Sequence, residues 1–140
     1  MSIRKATVND EPAIRELLKQ LDYPVSKGFL SDKIKILINN EDAELLVYEK
    51  ESSVVAFISL HFIPQLAREG DYLRISYFAV EQKIRSNGIG REIEEYCTQL
   101  AKEKKCDRIE LHTQSRRLLA QKFYTRQGYK EDPKYLIKKL

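Results

Sequence analysis

The sequence predicts a single-domain mixed α/β fold, in which a mostly antiparallel sheet carries helices on both faces. Two segments near the start space their apolar residues as amphipathic helices do, and three consecutive segments rich in β-branched and aromatic residues follow. The second half then alternates helix, strand and helix. An antiparallel run followed by a strand–helix–strand crossover is typical of a mixed sheet covered on both sides. The expected order is β-α-α-β-β-β-α-β-α-β, and a further strand at the end is left open.

The start of the chain predicts one strand and two helices. Ser2–Ala6 has the alternating character of a short strand. Asn9 or Asp10 can cap a helix in which Pro12 occupies an early, tolerated position. A second helix is expected from about Ser31. The apolar residues of the first helix recur at i, i+3, i+4 and i+7: Ile14, Leu17, Leu18 and Leu21.

The pattern then changes to three consecutive strands. Leu45–Tyr48 and Val54–Phe62 are rich in branched and aromatic residues, and the polar segment between them predicts a hairpin. Tyr72–Val80 alternates its side chains after a polar loop, which predicts the third strand.

A helix, a strand and a second helix are predicted after these strands. Asp107–Thr113 is expected to be a strand, and Leu119–Gln127 a helix that ends at Gly128, a residue type favoured just past a helix end. Tyr129–Leu140 is expected to hold one or two final strands around Pro133. The preceding helix is predicted from an apolar stripe: Ile89, Ile93, Tyr96, Cys97, Leu100 and Ala101.

Composition excludes several classes of protein. The chain has 140 residues, 42% hydrophobic and 33% charged, so we expect one packed domain over residues 1–140. The longest unbroken apolar run, Val54–Ile58, is five residues, too short for a membrane-spanning helix or a secretory signal. Cys97 and Cys106 form no C-x-x-C pair, and there are only two histidines. We therefore expect no disulfide scaffold and no metal site, and a cytoplasmic location.

The positive charge is concentrated in the second half. Residues 1–70 have a net charge of −2 (9 basic, 11 acidic), and residues 71–140 have +6 (16 basic, 10 acidic). A basic half favours an anionic partner: nucleic acid, an anionic membrane or a phosphorylated small molecule. No nucleic-acid-binding signature is present, and the basic residues are not interleaved with aromatic ones. A nucleic-acid partner is therefore not expected.

The segment from Val80 to Arg91 predicts a binding site for phosphate groups. It runs from a strand through a basic turn with Gly88 and Gly90 into the first turn of a helix. Glycines permit close approach of the main chain, and a helix N-terminus presents unpaired N–H groups that favour anions. The spacing is neither that of a dinucleotide-binding G-x-G-x-x-G motif nor that of a P-loop. The alternative is an ordinary tight turn with a basic rim.

A second motif identifies the family. R-x-x-G-x-G at residues 85–90 is followed about thirty residues later by A-x-x-F-Y-x-x-x-G-Y at residues 120–129. Together, at this spacing, the motifs resemble the GNAT family of N-acetyltransferases (Gcn5-related acyl-CoA transferases), and the resemblance covers nearly the whole chain. It implies transfer of an acetyl group from acetyl-CoA to a primary amine, directly within a ternary complex. Coenzyme A also accounts for the basic half without a nucleic acid or a membrane partner.

The resemblance implies roles for particular residues. In this family the strand that precedes the first motif splays from its neighbour, and the pantetheine arm lies in the gap. Tyr124 corresponds to the family's general acid for the departing thiolate, although an aromatic residue on a helix also packs readily into a core. The implied coenzyme A-binding residues are Phe78, Ala79, Val80, Arg85, Ser86, Asn87, Gly88, Ile89, Gly90, Arg91 and Arg117.

Two positions depart from the family pattern. Arg117 stands where an asparagine is commonest, and it could contact the cofactor or cap the helix start. Arg74 stands where many members have a glutamate base. A water chain to solvent could carry the proton, because the amine needs only to lose it before attack. Side chains that could assist are Glu81, Glu110, His61 and His112.

The acceptor amine is left open by the sequence. The family's acceptor groove corresponds to Asp22–Phe29, Ile63–Asp71 and Lys130–Lys138, and the acidic residues of the first two loops favour a cationic amine. Aminoglycosides, polyamines and protein amines all remain candidates, and a homodimer is left open. The competing class is a GNAT-like domain that binds acyl-CoA as a sensor or regulator without turnover, which the absent glutamate favours and Tyr124 opposes.

Overall fold

The computed structural model describes residues 2–25, 28–85, 87–132 and 135–140. The chain divides into two compact units, Met1–Glu110 and Leu111–Leu140. The single domain over residues 1–140 stays a prediction. No helix in the described part of the chain has the length and apolar character needed to cross a bilayer.

The element order follows the predicted one as far as the last helix. Short 3₁₀ turns at Val8–Asp10 and Gln82–Ile84 precede α1 and α3 respectively. The mixed α/β fold is therefore confirmed. The strands and helices are β1 (Ile3–Lys5), α1 (Glu11–Gln20), α2 (Leu30–Ile38), β2 (Ala43–Lys50), β3 (Ser53–Ile63), β4 (Tyr72–Val80), α3 (Ile89–Glu103), β5 (Arg108–Leu111) and α4 (Leu118–Arg126).

The five strands form one sheet in the order β1-β2-β3-β4-β5, and the first four are antiparallel neighbours. β5 follows the α3 crossover, and the Asp107 N–H donates to the Asp71 carbonyl at 2.8 Å where β5 and β4 begin. A bulge interrupts the β3–β4 pair, because Ser59 pairs with Tyr77 whereas Leu60 pairs with Ile75. The splay of the β4–β5 pair stays a prediction.

Helices pack on both faces of the sheet, as predicted. Side chains of α1 and α2 form a buried cluster with Val47 and Phe57, which are cross-strand partners. The next residue along β2, Tyr48, points to the opposite face and donates its hydroxyl to Glu92 of α3 at 2.8 Å. Each fully buried leucine or isoleucine of these two layers contributes about 1.5–3 kcal/mol. The sheet is thereby held rigid where the site is built.

Two predicted elements differ in the structure. No strand follows α4 among residues 129–132 and 135–140, and Pro133 lies outside the described residues. Leu136 and Ile137 have strand-favouring side chains, but they are 86% and 67% exposed, and β propensity does not form a strand without a neighbour and burial. β5 ends at Leu111, so His112 lies beyond the strand rather than on its face.

Asp10 has a different role from the predicted helix cap. Its carboxylate accepts no hydrogen bond from α1. Instead it accepts two bonds of 2.9 Å from Arg4 and one of 2.8 Å from the Thr7 N–H. Arg4 also donates to Glu49 of β2 at 3.2 Å. Asp10 is only 6% exposed, so this ion pair ties the chain before α1 to the sheet.

Replacing Asp10 with asparagine is expected to lower the free energy of unfolding by about 2 kcal/mol at neutral pH. The Arg4 hydrogen bond, helped by the Thr7 N–H, holds the pKa of the Asp10 carboxyl below its ordinary value. A lowered folded-state pKa stabilises the protein above the unfolded pKa of about 3.9, and this contribution is lost as pH falls through the folded-state value. Urea unfolding at neutral pH and below pH 4 measures both effects.

The control for this prediction is Glu49→Gln, because Glu49 is the other carboxylate of Arg4 and its side chain is 42% exposed. It is expected to cost less than about 1 kcal/mol. Equal losses in the two variants, or an Asp10→Asn difference that does not shrink in acid, would contradict the assignment.

Replacing Ser52 with glycine is expected to raise the free energy of unfolding by about 0.5–1 kcal/mol. Glu51 and Ser52 form the two-residue β2–β3 turn, with φ of 51° and 65°. This left-handed backbone is strained for a residue with a Cβ and unstrained for glycine. Thermal unfolding measures the gain. Ser53→Gly, one residue later in the strand, should lower stability instead; a loss in both variants would show that strain in the turn is not limiting.

Candidate active site

The junction of β4 and α3 presents backbone N–H groups that have no acceptor within the helix. Gly88 is the N-cap residue of α3 with φ of 81°. Ile89 is 4% exposed and anchors the helix start in the core. The first intrahelical bond of α3 is from the Glu92 N–H to the Gly88 carbonyl, at 3.0 Å. The N–H groups of Ile89, Gly90 and Arg91 therefore have no acceptor within the helix.

The space in front of these N–H groups is open and positively charged. A Cβ built on Gly88 would meet no atom of the described residues within 4 Å, and Asn87 and Gly88 are exposed. Arg91 is exposed and pairs with Glu95 one turn along, at 2.9 Å. Arg85 is exposed, and its Nε donates to the Val80 carbonyl at 3.3 Å. With the helix dipole, this arrangement fits the pyrophosphate of coenzyme A; Ser86 lies outside the described residues.

The turn before α3 is held in place by α1. The Glu81 side chain accepts from the Gln82 N–H at 3.0 Å, which caps the 3₁₀ turn. The same N–H donates to the Gln20 side chain at the end of α1, at 3.1 Å. Nothing in the sequence around Gln20 signals this contact, because it joins positions 62 residues apart.

The backbone groups of Phe78 and Val80 in β4 point away from β3, and the Val80 carbonyl accepts from Arg85 Nε at 3.3 Å. The Glu81 N–H donates to the Val55 carbonyl at 2.8 Å, and Val80 pairs with Ala56 in the same register. Hydrogen bonds alternate along an antiparallel pair, so the backbone groups of Ala79 point to β3 and those of Phe78 and Val80 point to the other edge. Of the three predicted contacts with pantetheine amides, this geometry favours Phe78 and Val80 over Ala79.

In the second unit, α4 ends in a motif that holds the ring of Tyr124. Gly128 has φ of 96°, its N–H donates to the Thr125 carbonyl at 3.1 Å, and the Tyr129 N–H donates to the Tyr124 carbonyl at 3.0 Å. These are the two hydrogen bonds of a Schellman motif, which usually carries a contact between the same two side chains. The Tyr124 and Tyr129 rings meet edge to face, with centroids 5.5 Å apart. The spacing F-Y-x-x-x-G-Y thus has a structural reason.

Arg117 is the N-cap residue of α4 by position, but its side chain makes no capping hydrogen bond. The loop before the helix is instead held by the Gln121 side chain, which donates to the Gln114 and Ser115 carbonyls at 2.9 Å. The predicted capping role of the Arg117 side chain is therefore wrong, and its predicted contact with coenzyme A stays a prediction.

Arg74, which stands where the family usually has a glutamate, lies opposite a histidine on the neighbouring strand. Arg74 of β4 pairs directly with His61 of β3. His61 Nδ1 lies 3.1 Å from the hydroxyl oxygen of Ser76, the extra residue of the bulge. Burial, and then the positive charge of Arg74, lowers the pKa of His61 below its ordinary value of 6.5. Ser76 was missed in the sequence, because an alternating strand pattern does not reveal a bulge.

An aromatic pair borders the same face of the sheet. Asp22, in the turn just after α1, has φ of 66°, and the Tyr23 N–H donates back to the Leu18 carbonyl at 2.9 Å. This turn brings the Tyr23 ring edge to face with Tyr77 of β4, at 5.5 Å between centroids. Both rings are about two-fifths exposed, at 40% and 44%, so they are available to a ligand.

Two of the other side chains predicted to assist proton transfer, Glu110 and His112, have partners of their own. Glu110 pairs with Arg108 at 3.7 Å, and His112 stacks on Tyr135 with ring centroids 3.8 Å apart. Burial raises the pKa of the Cys97 thiol to about 12, which suits a core residue rather than a nucleophile. In the described part of the chain, no three His, Cys, Asp or Glu side chains gather as they would around a metal ion.

The mixed sheet, with a glycine at the start of α3 directly after β4, suits an acyltransferase. Residues 11–129 match the acetyltransferase (GNAT) family, and the chain belongs to that family. Family members generally use acetyl-CoA. No curated protein matches the chain.

Solved structures share the whole fold. A transcriptional regulator from Bacillus halodurans C-125 has a TM-score of 0.90 and 23% identity, covering 99% of this chain and 98% of that one. A GNAT family acetyltransferase from Staphylococcus aureus USA300_TCH1516 has a TM-score of 0.82 and 23% identity over 100% of both chains. The aminoglycoside acetyltransferase meta-AAC0020 from an uncultured soil sample has a TM-score of 0.82 and 19% identity, covering 99% and 95%. At these identities the likeness establishes the fold.

Proposed function

We propose that this protein transfers the acetyl group of acetyl-CoA to a primary amine of a small molecule or a protein. The observation that carries the proposal is the start of α3, where Gly88 leaves space that no described residue fills, before three N–H groups without an acceptor in the helix and beside exposed arginines. Phosphate groups are the ligands that such a helix start favours. The backbone groups of Phe78 that point away from β3, and the Val80 N–H, lie on the strand that leads into this helix start, as a ligand with both pyrophosphate and amide groups requires.

The proposed mechanism is direct transfer in a ternary complex. Coenzyme A supplies an activated acetyl thioester. The start of α3 at Gly88 and the backbone of Phe78 and Val80 hold the cofactor. A main-chain N–H of β4 near Val80 stabilises the negative charge that develops on the thioester oxygen. Tyr124 gives its proton to the departing sulfur. The chain forms no acyl-enzyme in this scheme, consistent with the buried Cys97.

The acceptor is proposed to be a cationic amine. Asp22 follows α1, and Glu69 and Asp71 precede β4, in loops that correspond to the family's acceptor groove. The exposed rings of Tyr23 and Tyr77 add faces that attract cations. Aminoglycosides, polyamines and protein amines share this chemistry, and one solved neighbour is named an aminoglycoside acetyltransferase.

A second candidate function is acyl-CoA binding without turnover, as in a sensor or regulator. Arg74 favours it, because a guanidinium cannot accept a proton from the acceptor amine. A solved neighbour carries the name transcriptional regulator.

Two measurements separate these functions. Calorimetry with acetyl-CoA tests binding, and release of the coenzyme A thiol tests turnover in the presence of aminoglycosides, polyamines or lysine peptides. Binding with acceptor-dependent thiol release supports the transferase. Binding without release from any acceptor supports the sensor, and absence of binding would overturn both.

A further inference from the structure

The face of the sheet beside the bulge holds the group that could replace the missing carboxylate. β3 and β4 place His61 directly opposite Arg74, which occupies the family's glutamate position. On the other side of His61, the paired residue of β2 is Ala43, which is apolar and buried. Arg74 is the one charged group, among the described residues, whose field shifts the pKa of His61.

The imidazole of His61 is oriented by the bulge. Because Ser76 is the extra residue opposite Ser59 and Leu60, its hydroxyl reaches His61 Nδ1 at 3.1 Å. Within the described part of the chain, the second ring nitrogen, Nε2, has no hydrogen-bond partner. When one ring nitrogen of a histidine is fixed by a hydrogen bond and the other has no protein partner, the second nitrogen is the atom that can accept or give a proton.

We propose that His61 is the proton acceptor for the amine of the acceptor substrate, with its Nδ1–H donated to the Ser76 hydroxyl and its Nε2 facing the amine. This inference rests on the proposed acetyltransferase function. Ser76 is a positioning residue, because it acts through the imidazole. The lowered pKa agrees with this role, since it keeps the ring neutral at physiological pH and thus able to accept a proton.

The proton balance of the step is complete. Nε2 takes one proton from the ammonium group, and the freed lone pair of the amine forms the N–C bond to the acetyl carbonyl carbon. The C–S bond breaks with its electron pair on sulfur, which receives a proton from Tyr124. The amide nitrogen loses its second proton, which restores Tyr124 through solvent, and His61 releases the first proton to solvent. The products are the acetamide, coenzyme A thiol and one proton.

The test compares His61→Gln with the wild-type protein, using an aliphatic primary amine that supports thiol release. The glutamine can still bond with Ser76 but does not titrate near neutral pH. We expect kcat to fall about 10- to 100-fold at neutral pH. The acid limb of the pH profile of kcat/KM, in which wild-type activity declines below about pH 6.5, should disappear, while acetyl-CoA affinity is retained.

The second histidine and the serine provide matched comparisons. His112→Gln should keep the acid limb, because His112 stacks on Tyr135 in the second unit. Ser76→Ala should lower kcat by less than His61→Gln does and alter the pKa of the limb, and Ser76→Thr should restore both. An acid limb that survives His61→Gln, or that disappears in His112→Gln, would overturn the role of His61.

A measurement independent of activity uses nitrogen-15 NMR of the two imidazoles in the intact protein. We expect a pKa of His61 below 6.5 and a neutral tautomer with the proton on Nδ1. A proton on Nε2, or a ring still charged above pH 7.5, would overturn the proposal. Failure of the transferase function itself is recognised separately, because the wild-type protein would then release no thiol with any acceptor.

Discussion

Replacing Gly88 with tryptophan is expected to weaken acetyl-CoA binding by at least about 100-fold, or roughly 2.7 kcal/mol. In the described part of the chain, no atom lies within 4 Å of a Cβ at this position, so an indole would enter the open space before the N–H groups of α3. There it would occupy the proposed place of a phosphate group and prevent its bonds to the N–H groups of Ile89, Gly90 and Arg91. Calorimetry with acetyl-CoA measures the loss.

Gly28→Trp is the matched control for this variant. Gly28 also has a left-handed backbone, with φ of 117°, and no atom within 4 Å of a built Cβ, but it precedes α2 rather than α3. Both variants carry similar backbone strain, about 1–2 kcal/mol, so any shared loss of stability is accounted for. Unchanged acetyl-CoA affinity in Gly88→Trp, or an equal loss in Gly28→Trp, would show that the anion cradle is not at this helix start.

Replacing Tyr124 with phenylalanine is expected to lower kcat by about 100- to 1,000-fold, with acetyl-CoA affinity changed less than about twofold. The substitution removes only the hydroxyl that is proposed to protonate the departing sulfur. The ring contacts with Phe123 and Tyr129 and the backbone bonds of the helix end remain. Steady-state thiol release together with calorimetry separates loss of the acid from loss of binding.

Tyr129→Phe is the control, because it removes a hydroxyl from the ring that contacts Tyr124 edge to face. We expect kcat to change less than about threefold, since no proton transfer is assigned to Tyr129. If Tyr124→Phe kept more than a tenth of wild-type turnover, or if both variants lost equally, the proton would reach the sulfur by another route. Core packing would then be the remaining role of Tyr124.

The predictions that succeeded depend on short stretches of sequence. The apolar stripe from Ile89 to Ala101 predicted α3, and Gly128 predicted the end of α4, because helix period and helix-end geometry are set within a few residues. Asp10 shows the limit of this approach. An acid before a helix is a good cap, but Arg4 competes for it with a bidentate ion pair.

The final segment shows a different limit. Tyr135, Leu136 and Ile137 have the residue types of a strand, yet none of them is assigned to one in the structure. A strand exists only where a neighbour accepts its backbone bonds, and composition does not name that neighbour. The same reason explains why β5 ends before His112.

By itself, the sequence determined the mixed α/β fold and the family. These follow from periodicity and from residue types at fixed spacing, which are local properties. Only the tertiary structure decided which side chains meet across the sheet, including His61 with Arg74 and Ser76, and Tyr23 with Tyr77. Strand register and the bulge between Ser59 and Leu60 are set jointly by all the strands and the helices packed on them, so no single segment encodes them.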